Sequence, residues 1–211
     1  MNFIIVFLWG FLVSFLGQLP LGTMSITSTQ IAVQENFKNA WKYSIGVAIV
    51  EVFYLRLTLS GVDWIMQHKL FFEILNWLTV AVFLILGILS FITARKQTKE
   101  KKALLLDNKI DRFFLGISMS ALNPAQIPFW FLWSSILLNN GTLRSDFTEF
   151  NYFTIGSGTG TIAGLALYMY GGNWLVTKMN TSNKTLNIVM GIIFIIAALA
   201  QLYRMIGGEF I

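Results

Sequence analysis

Apolar residues in this chain come in long blocks rather than in alternating stripes. Uncharged stretches run from Met1 to Gln34, Ile74 to Ala94, Phe113 to Leu143, Phe150 to Thr177 and Thr185 to Tyr203. A sixth, about Ala40 to Val62, is apolar except for Lys42 at its edge and, within it, Glu51 and Arg56. Roughly 20 apolar residues carry a helix across bilayer hydrocarbon, so the blocks predict six transmembrane helices and an all-α, polytopic fold. Two blocks are interrupted by polar, proline-containing notches: Gln18-Leu19-Pro20-Leu21-Gly22-Thr23 in the first and Ser120-Ala121-Leu122-Asn123-Pro124-Ala125-Gln126 in the fourth. Irregular backbone at membrane depth survives only where it is buried in protein or lines a cavity, so paired breaks point to a binding site. A proline kink healed by neighbouring helices is the plainer account of either one alone.

Composition agrees with the pattern: 55% of the 211 residues are apolar and only 12% are charged. The first block lacks a basic leader and a small-x-small cleavage site and is read as a permanent span. No linker or low-complexity stretch divides the chain, so a single transmembrane domain over 1–211 is expected. With no cysteine and one histidine, His68, disulfides, thiolate ligation and histidine clusters are excluded, and neither a metal nor a cofactor is expected.

Charge then orients the helices. Taken in order, the connections one to two, three to four and five to six hold Lys38 and Lys42, then Arg95, Lys96, Lys99, Lys101, Lys102, Lys109 and Arg112, then Lys178 and Lys184. The opposite side holds Lys69, Arg144 and Arg204. Lysine and arginine concentrate on the cytoplasmic face, which places both termini outside an inner membrane. The net charge of +5 is therefore an orientation signal and a contact for anionic lipid rather than a nucleic-acid footprint.

The chain also echoes itself. Tyr43-Ser44-Ile45-Gly46 matches Phe153-Thr154-Ile155-Gly156; Leu75-Asn76 with Phe83 and Ile85 matches Leu186-Asn187 with Phe194 and Ile196; Pro20 and Pro124 mark the first and fourth spans. Three spans per half, about 1–95 and 111–211, predict two inverted three-helix repeats with broken first and fourth helices, a basic cytoplasmic loop lying between them. In that alignment Thr161 stands opposite Glu51.

The notches and one acid carry the candidate chemistry. Asn123-Pro124 reads as an N-cap followed by proline at the first helical position, and Pro20 with Gly22 as a similar start that Thr23 or Ser25 caps. Amides freed at such starts can hold a carboxylate or another anion. Gln18, Pro20, Gly22, Thr23, Ser25, Asn123, Pro124 and Gln126 are therefore the expected substrate-binding residues. Glu51 lies about 11 residues from either end of its span, near mid-bilayer at about 1.5 Å per residue. A carboxylate there costs roughly 2.5–3.5 kcal/mol and normally faces a partner or an aqueous path. It is a candidate proton carrier or ammonium counter-ion, or else a buried neutral acid. Arg56 is expected to snorkel to the outer interface. Gly156, Gly160 and Gly164 form a ladder suited to close helix approach. The seven tryptophans are expected mostly as interfacial anchors.

The ordered set of six spans, the break at Pro20 and Gly22, Gly46 followed by Glu51, and Asn123-Pro124 resembles the LysE-type (RhtB-like) amino-acid exporter family over nearly the whole chain. The chain departs from the family pattern in three places. Pro20-Leu21-Gly22 stands for the usual Pro-Gly-Pro, Ala125 for a common lysine, and Glu51 for an aspartate. The resemblance implies a secondary transporter, not an enzyme, that exports amino acids or related small metabolites by proton-coupled alternating access. A cation exporter or channel of the same fold is the alternative, and small-residue ladders leave a homodimer open.

Overall fold

The structure is a computed structural model, and it describes residues 3–19, 22–95, 110–171, 188 and 191–206. Pro20, the loop from 96 to 109 with most of its basic residues, Trp174, Lys178, Lys184 and the repeat word Leu186-Asn187 lie outside the described residues. Among those described there is no strand. The helices are α1 (Phe3–Gln18), α2 (Thr23–Gln34), α3 (Phe37–Gln67), α4 (Lys69–Arg95), α5 (Arg112–Ala121), α6 (Gln126–Asn139), α7 (Phe147–Tyr170) and α8 (Gly191–Ile206).

Helix starts follow the polar residues. Asn36 accepts the Asn39 amide at 2.8 Å, Asp111 that of Phe113 at 2.9 Å, and Asp146 those of Thr148 and Glu149 at 2.9 and 3.2 Å. Each satisfies donors that a first turn leaves free, and the two aspartates also meet the positive end of the helix dipole. Gly141, just past α6, has φ of +66°, the left-handed value that ends a helix at little cost only in glycine.

Length and hydropathy mark α3 (Phe37–Gly61) and α4 (Lys69–Ile92) as able to cross a membrane, with α1 and α2 as a third span bent by 79° at its break. The six blocks thus do not all stand out as spans. In α7 glycine, serine and threonine dilute the hydropathy, and the described part of α8 is short. α4 shows the solvent for which the fold is built: Phe71, Ile74, Trp77, Leu78, Ile85, Ile88, Leu89 and Ile92 are exposed on it. An apolar face of that size suits acyl chains, not water.

Two close helix pairs organise the interior, α1 on α7 and α3 on α5. A Cβ added at Gly10 would strike the carbonyl of Phe153, and one at Gly156 the carbonyl of Phe7. In the second pair a Cβ at Gly116 would strike the carbonyl of Tyr43, and one at Gly46 that of Phe113. The glycine ladder is a packing surface, with Gly156 and Gly160 set against the backbone of Phe7 and Phe11. Phe83 of α4 stacks on Phe194 of α8 with centroids 6.0 Å apart, and Gln201 Nε2 donates to Asn76 Oδ1 at 2.7 Å, both residues buried.

One end of the bundle is closed by charge. Arg112 at the start of α5 donates through Nε to Glu35 Oε1 at 2.8 Å, and its Nη2 lies 2.5 Å from the same oxygen. Asn39 holds the other Glu35 oxygen at 2.8 Å, and Lys42 pairs with Asp111 at 2.9 Å. The guanidinium of Arg112 holds the Glu35 carboxyl below the usual carboxylate range, and the Lys42 ammonium does the same for Asp111. Arg56, expected to extend toward the outer interface, meets the exposed ring of Phe147 at the start of α7. Its guanidinium lies 4.9 Å from the Phe147 ring centre and 5.9 Å from that of Phe150, where the aromatic faces stand in for water.

Candidate functional site

Both breaks and the lone acid open on one cavity of about 350 Å³. Gln18, Gly22, Thr23, Ser25, Glu51, Asn123 and Gln126 all line it. Pro124 is exposed and is not among the lining residues, and Pro20 lies outside the described residues.

Each break is healed by a tyrosine from a neighbouring long helix. α1 ends at Gln18, and the freed carbonyl of Leu19 accepts the Tyr168 hydroxyl from α7. α5 ends at Ala121, whose carbonyl accepts the Tyr54 hydroxyl from α3 at 3.0 Å. This is the condition under which broken helices are tolerated in hydrocarbon: the orphaned groups find side chains.

The capping expected at the notches needs correction. α2 begins at Thr23 with Gly22 as its cap residue, which makes no side-chain cap bond, and neither Thr23 nor Ser25 stands at the cap position. Ser25 instead donates back to the carbonyl of Gln18 at 3.4 Å. Asn123 does not occupy the cap of α6, which Ala125 fills; its Oδ1 accepts the Ala125 amide at 3.2 Å, and the helix proper starts at Gln126. The residue before a proline avoids helical backbone, so Asn123 forms a side-chain turn ahead of the helix rather than its first cap. Gln126 donates through Nε2 to Ser120 Oγ at 2.8 Å, and the Ser120 hydroxyl donates to the Val47 carbonyl at 3.3 Å.

Glu51 is buried, with 6% of its surface exposed, and is held entirely by neutral donors. Thr161 of α7 donates to Oε2 at 2.5 Å, and Gln18 of α1 donates through Nε2 to Oε1 and Oε2 at 3.3 and 3.2 Å. Behind Thr161, the Ser14 hydroxyl of α1 lies 2.7 Å from its oxygen. Uncharged hydrogen bonds therefore offset the cost of sinking a carboxyl in a low-dielectric interior. Among the described residues lining the cavity, Glu51 is the one charged group.

The rest of the wall is apolar and aromatic. The stacked Phe83 and Phe194 contribute, with Leu86, Phe129 and Trp130. Trp130 is fully buried, against the expectation of an interfacial anchor, and its ring meets Phe129 and Phe153 edge-on. Sequence reasoning did not single out Ser14, Tyr168 or these aromatics for the site. Phe83 and Phe194 were matched as repeat positions, and that match was the available signal.

One acid amid neutral donors, the polar residues of two helix breaks and an aromatic wall thus line a single chamber. No curated protein and no solved structure matches the chain significantly. A family profile does, over residues 4–205, from the first helix to the last and across both breaks. The chain therefore belongs to the LysE type translocator family, and it is a membrane transporter of a small molecule.

Proposed function

We propose that this translocator exports amino acids or related small metabolites across the inner membrane, exchanging each solute against protons. The observation that carries this reading is the single cavity shared by both helix breaks and Glu51. An α-amino acid needs an anion partner for its ammonium, donors for its carboxylate and room for its side chain. Glu51 supplies the first. The amides at the start of α2, beside Gly22 and Thr23, supply the second, because the cap residue Gly22 makes no side-chain bond to them. Asn123 and Gln126 add neutral polar contacts from the other break. The aromatic wall supplies the third, and the volume suits a compact metabolite.

Glu51 is the coupling group in this reading. Its carboxylate binds the ammonium of the solute on one side of the membrane and a proton on the other, so the two compete for one buried site. Alternating access follows from six spans arranged as two inverted halves, with both termini outside. The reciprocal glycine contacts support the repeat: Gly10 and Phe153, Gly156 and Phe7 recur as Gly116 and Tyr43, Gly46 and Phe113. So do the meetings of Glu51 with Thr161 and Phe83 with Phe194, each a pair of aligned positions.

Glu51→Gln keeps the volume and removes the charge. In proteoliposomes the variant should remain folded and lose proton-driven amino-acid flux. Undiminished coupled flux would remove Glu51 from the mechanism.

A further inference from the structure

The hydroxyl of Thr161 has more partners than it has protons. Its oxygen lies 2.5 Å from Glu51 Oε2, 2.7 Å from Ser14 Oγ and 3.1 Å from the carbonyl of Ser157, one turn back on α7. Thr161 and Ser14 are both fully buried, so neither can turn to water for a bond. One proton must serve two acceptors, Glu51 and the Ser157 carbonyl, while Ser14 can donate to the Thr161 oxygen in either case.

Protonation of Glu51 decides between them. When the carboxylate is ionised, it accepts from Thr161, whose oxygen accepts from Ser14. When Oε2 carries a proton, that proton is donated to the Thr161 oxygen, and the threonine proton turns to the Ser157 carbonyl. No bond to hydrogen breaks within Thr161. The hydroxyl rotates about its C–O bond, and the proton gained by Glu51 comes from the cavity. In both states every member of the chain keeps a partner, which spares the penalty of roughly 1–3 kcal/mol for a buried polar group left alone.

We propose that Thr161, backed by Ser14, is the positioning residue of the coupling carboxylate, a hydroxyl rotor that serves Glu51 in both of its protonation states. The inference rests on the reading of Glu51 as the coupling group and adds to it a residue on the opposite half of the chain. The surroundings leave this work to hydrogen bonds. α1 presents Gln18 to Glu51 and Ser14 to Thr161, and α7 presents Thr161 to Glu51. The lining residues from α2, α4, α6 and α8 and from the α5–α6 connection carry no charge. On its own helix, Arg56 is turned to Phe147 and Phe150.

The test is proton-driven amino-acid flux in proteoliposomes across a pH series, for the unaltered protein and for Thr161→Val, Thr161→Ala, Thr161→Ser and Glu51→Gln. Valine keeps the shape of threonine; alanine removes the hydroxyl without crowding the α1–α7 seam should valine fail to fold. Loss of a hydrogen bond to a charged group is expected to slow coupled flux roughly 10- to 100-fold and to displace its pH profile in the valine and alanine variants. Serine, which keeps the rotor, should restore both rate and profile to within about threefold. An unchanged rate and pH profile in Thr161→Val or Thr161→Ala overturns the rotor, as does a serine variant as impaired as alanine. Glu51→Gln separates the two levels: if it retains coupled flux, the coupling role of Glu51 falls and the rotor with it, whereas loss in Glu51→Gln alone leaves that role standing without Thr161.

Discussion

Replacing Gly164 by alanine should disturb the cavity without touching it. A Cβ at Gly164 would sit 2.6 Å from Gln18 Cβ and 3.1 Å from its Cγ. Ordinary carbon contacts begin near 3.4 Å, so α1 must retreat from α7 by just under 1 Å at that point. Gln18 already reaches Glu51 at 3.2 and 3.3 Å, the long end of hydrogen bonding, and the same retreat breaks the contact. Overpacking costs about 1–3 kcal/mol, and loss of a donor to a carboxylate adds about 1.5–3 kcal/mol where that group is ionised. At roughly 2–4 °C per kcal/mol for a chain of this size, the thermal midpoint in detergent should fall by about 5 °C or more. Gly158→Ala is the control on the same helix. Its Cβ would meet only the end of the Val52 side chain, at 2.9 Å, and that side chain can turn away. Gln18→Gly combined with Gly164→Ala should recover the overpacking part of the loss but not flux. A Gly164→Ala protein with an unaltered midpoint and full flux would refute the argument that the α1–α7 seam sets the reach of Gln18.

Three further outcomes are expected. The Glu35 carboxyl is held below its ordinary value of 4.5, so the Arg112 contact contributes stability above that pH and loses it as pH falls through the lower folded value. Thermal midpoints measured from pH 6 downward should therefore drop more steeply for the unaltered protein than for Glu35→Gln, which starts lower. Gln201→Ala strands the buried Asn76 and should cost about 1–3 kcal/mol by thermal shift, whereas Asn76→Leu with Gln201→Leu should recover much of it, since two apolar partners leave nothing unpaired. Phe83→Ala and Phe194→Ala should weaken leucine or phenylalanine more than serine in a binding screen, by about tenfold, because the stacked rings offer apolar area that a small polar side chain cannot use.

Glu51 and the two breaks were legible because each violates its surroundings: a carboxyl in an apolar run, proline and glycine in predicted helices. Such violations persist only where the fold supplies partners, so they announce that partners exist without naming them. Thr161 and Ser14 could not be found that way, since a hydroxyl in a membrane helix can bond its own preceding turn and needs no special neighbour. Only the repeat alignment set Thr161 against Glu51. Trp130 escaped for the opposite reason. Tryptophan suits both an interface and a packed interior, and nothing near Trp130 in sequence tells which. The helix starts were placed two residues early at Asn123 because the sequence shows the proline but not which amide the asparagine oxygen will take.

The seam and the site are one construction. Gly156, Gly160 and Gly164 recur every four residues along α7 and bring the backbone of α1 against it. Thr161 follows Gly160 directly and so falls on an adjoining face of the same helix, where it meets Ser14 and Glu51. Bulkier residues in the ladder would have moved α1 outward and left Glu51 without its donors. The acid can therefore be buried only because the glycines are there, and a change in its hydrogen bonding must be felt at the seam. The bonds that offset the cost of burying Glu51 come from α1 and α7, the same two helices that the glycine ladder joins, and that is the link between an acid and a helix seam that the proposed coupling calls for.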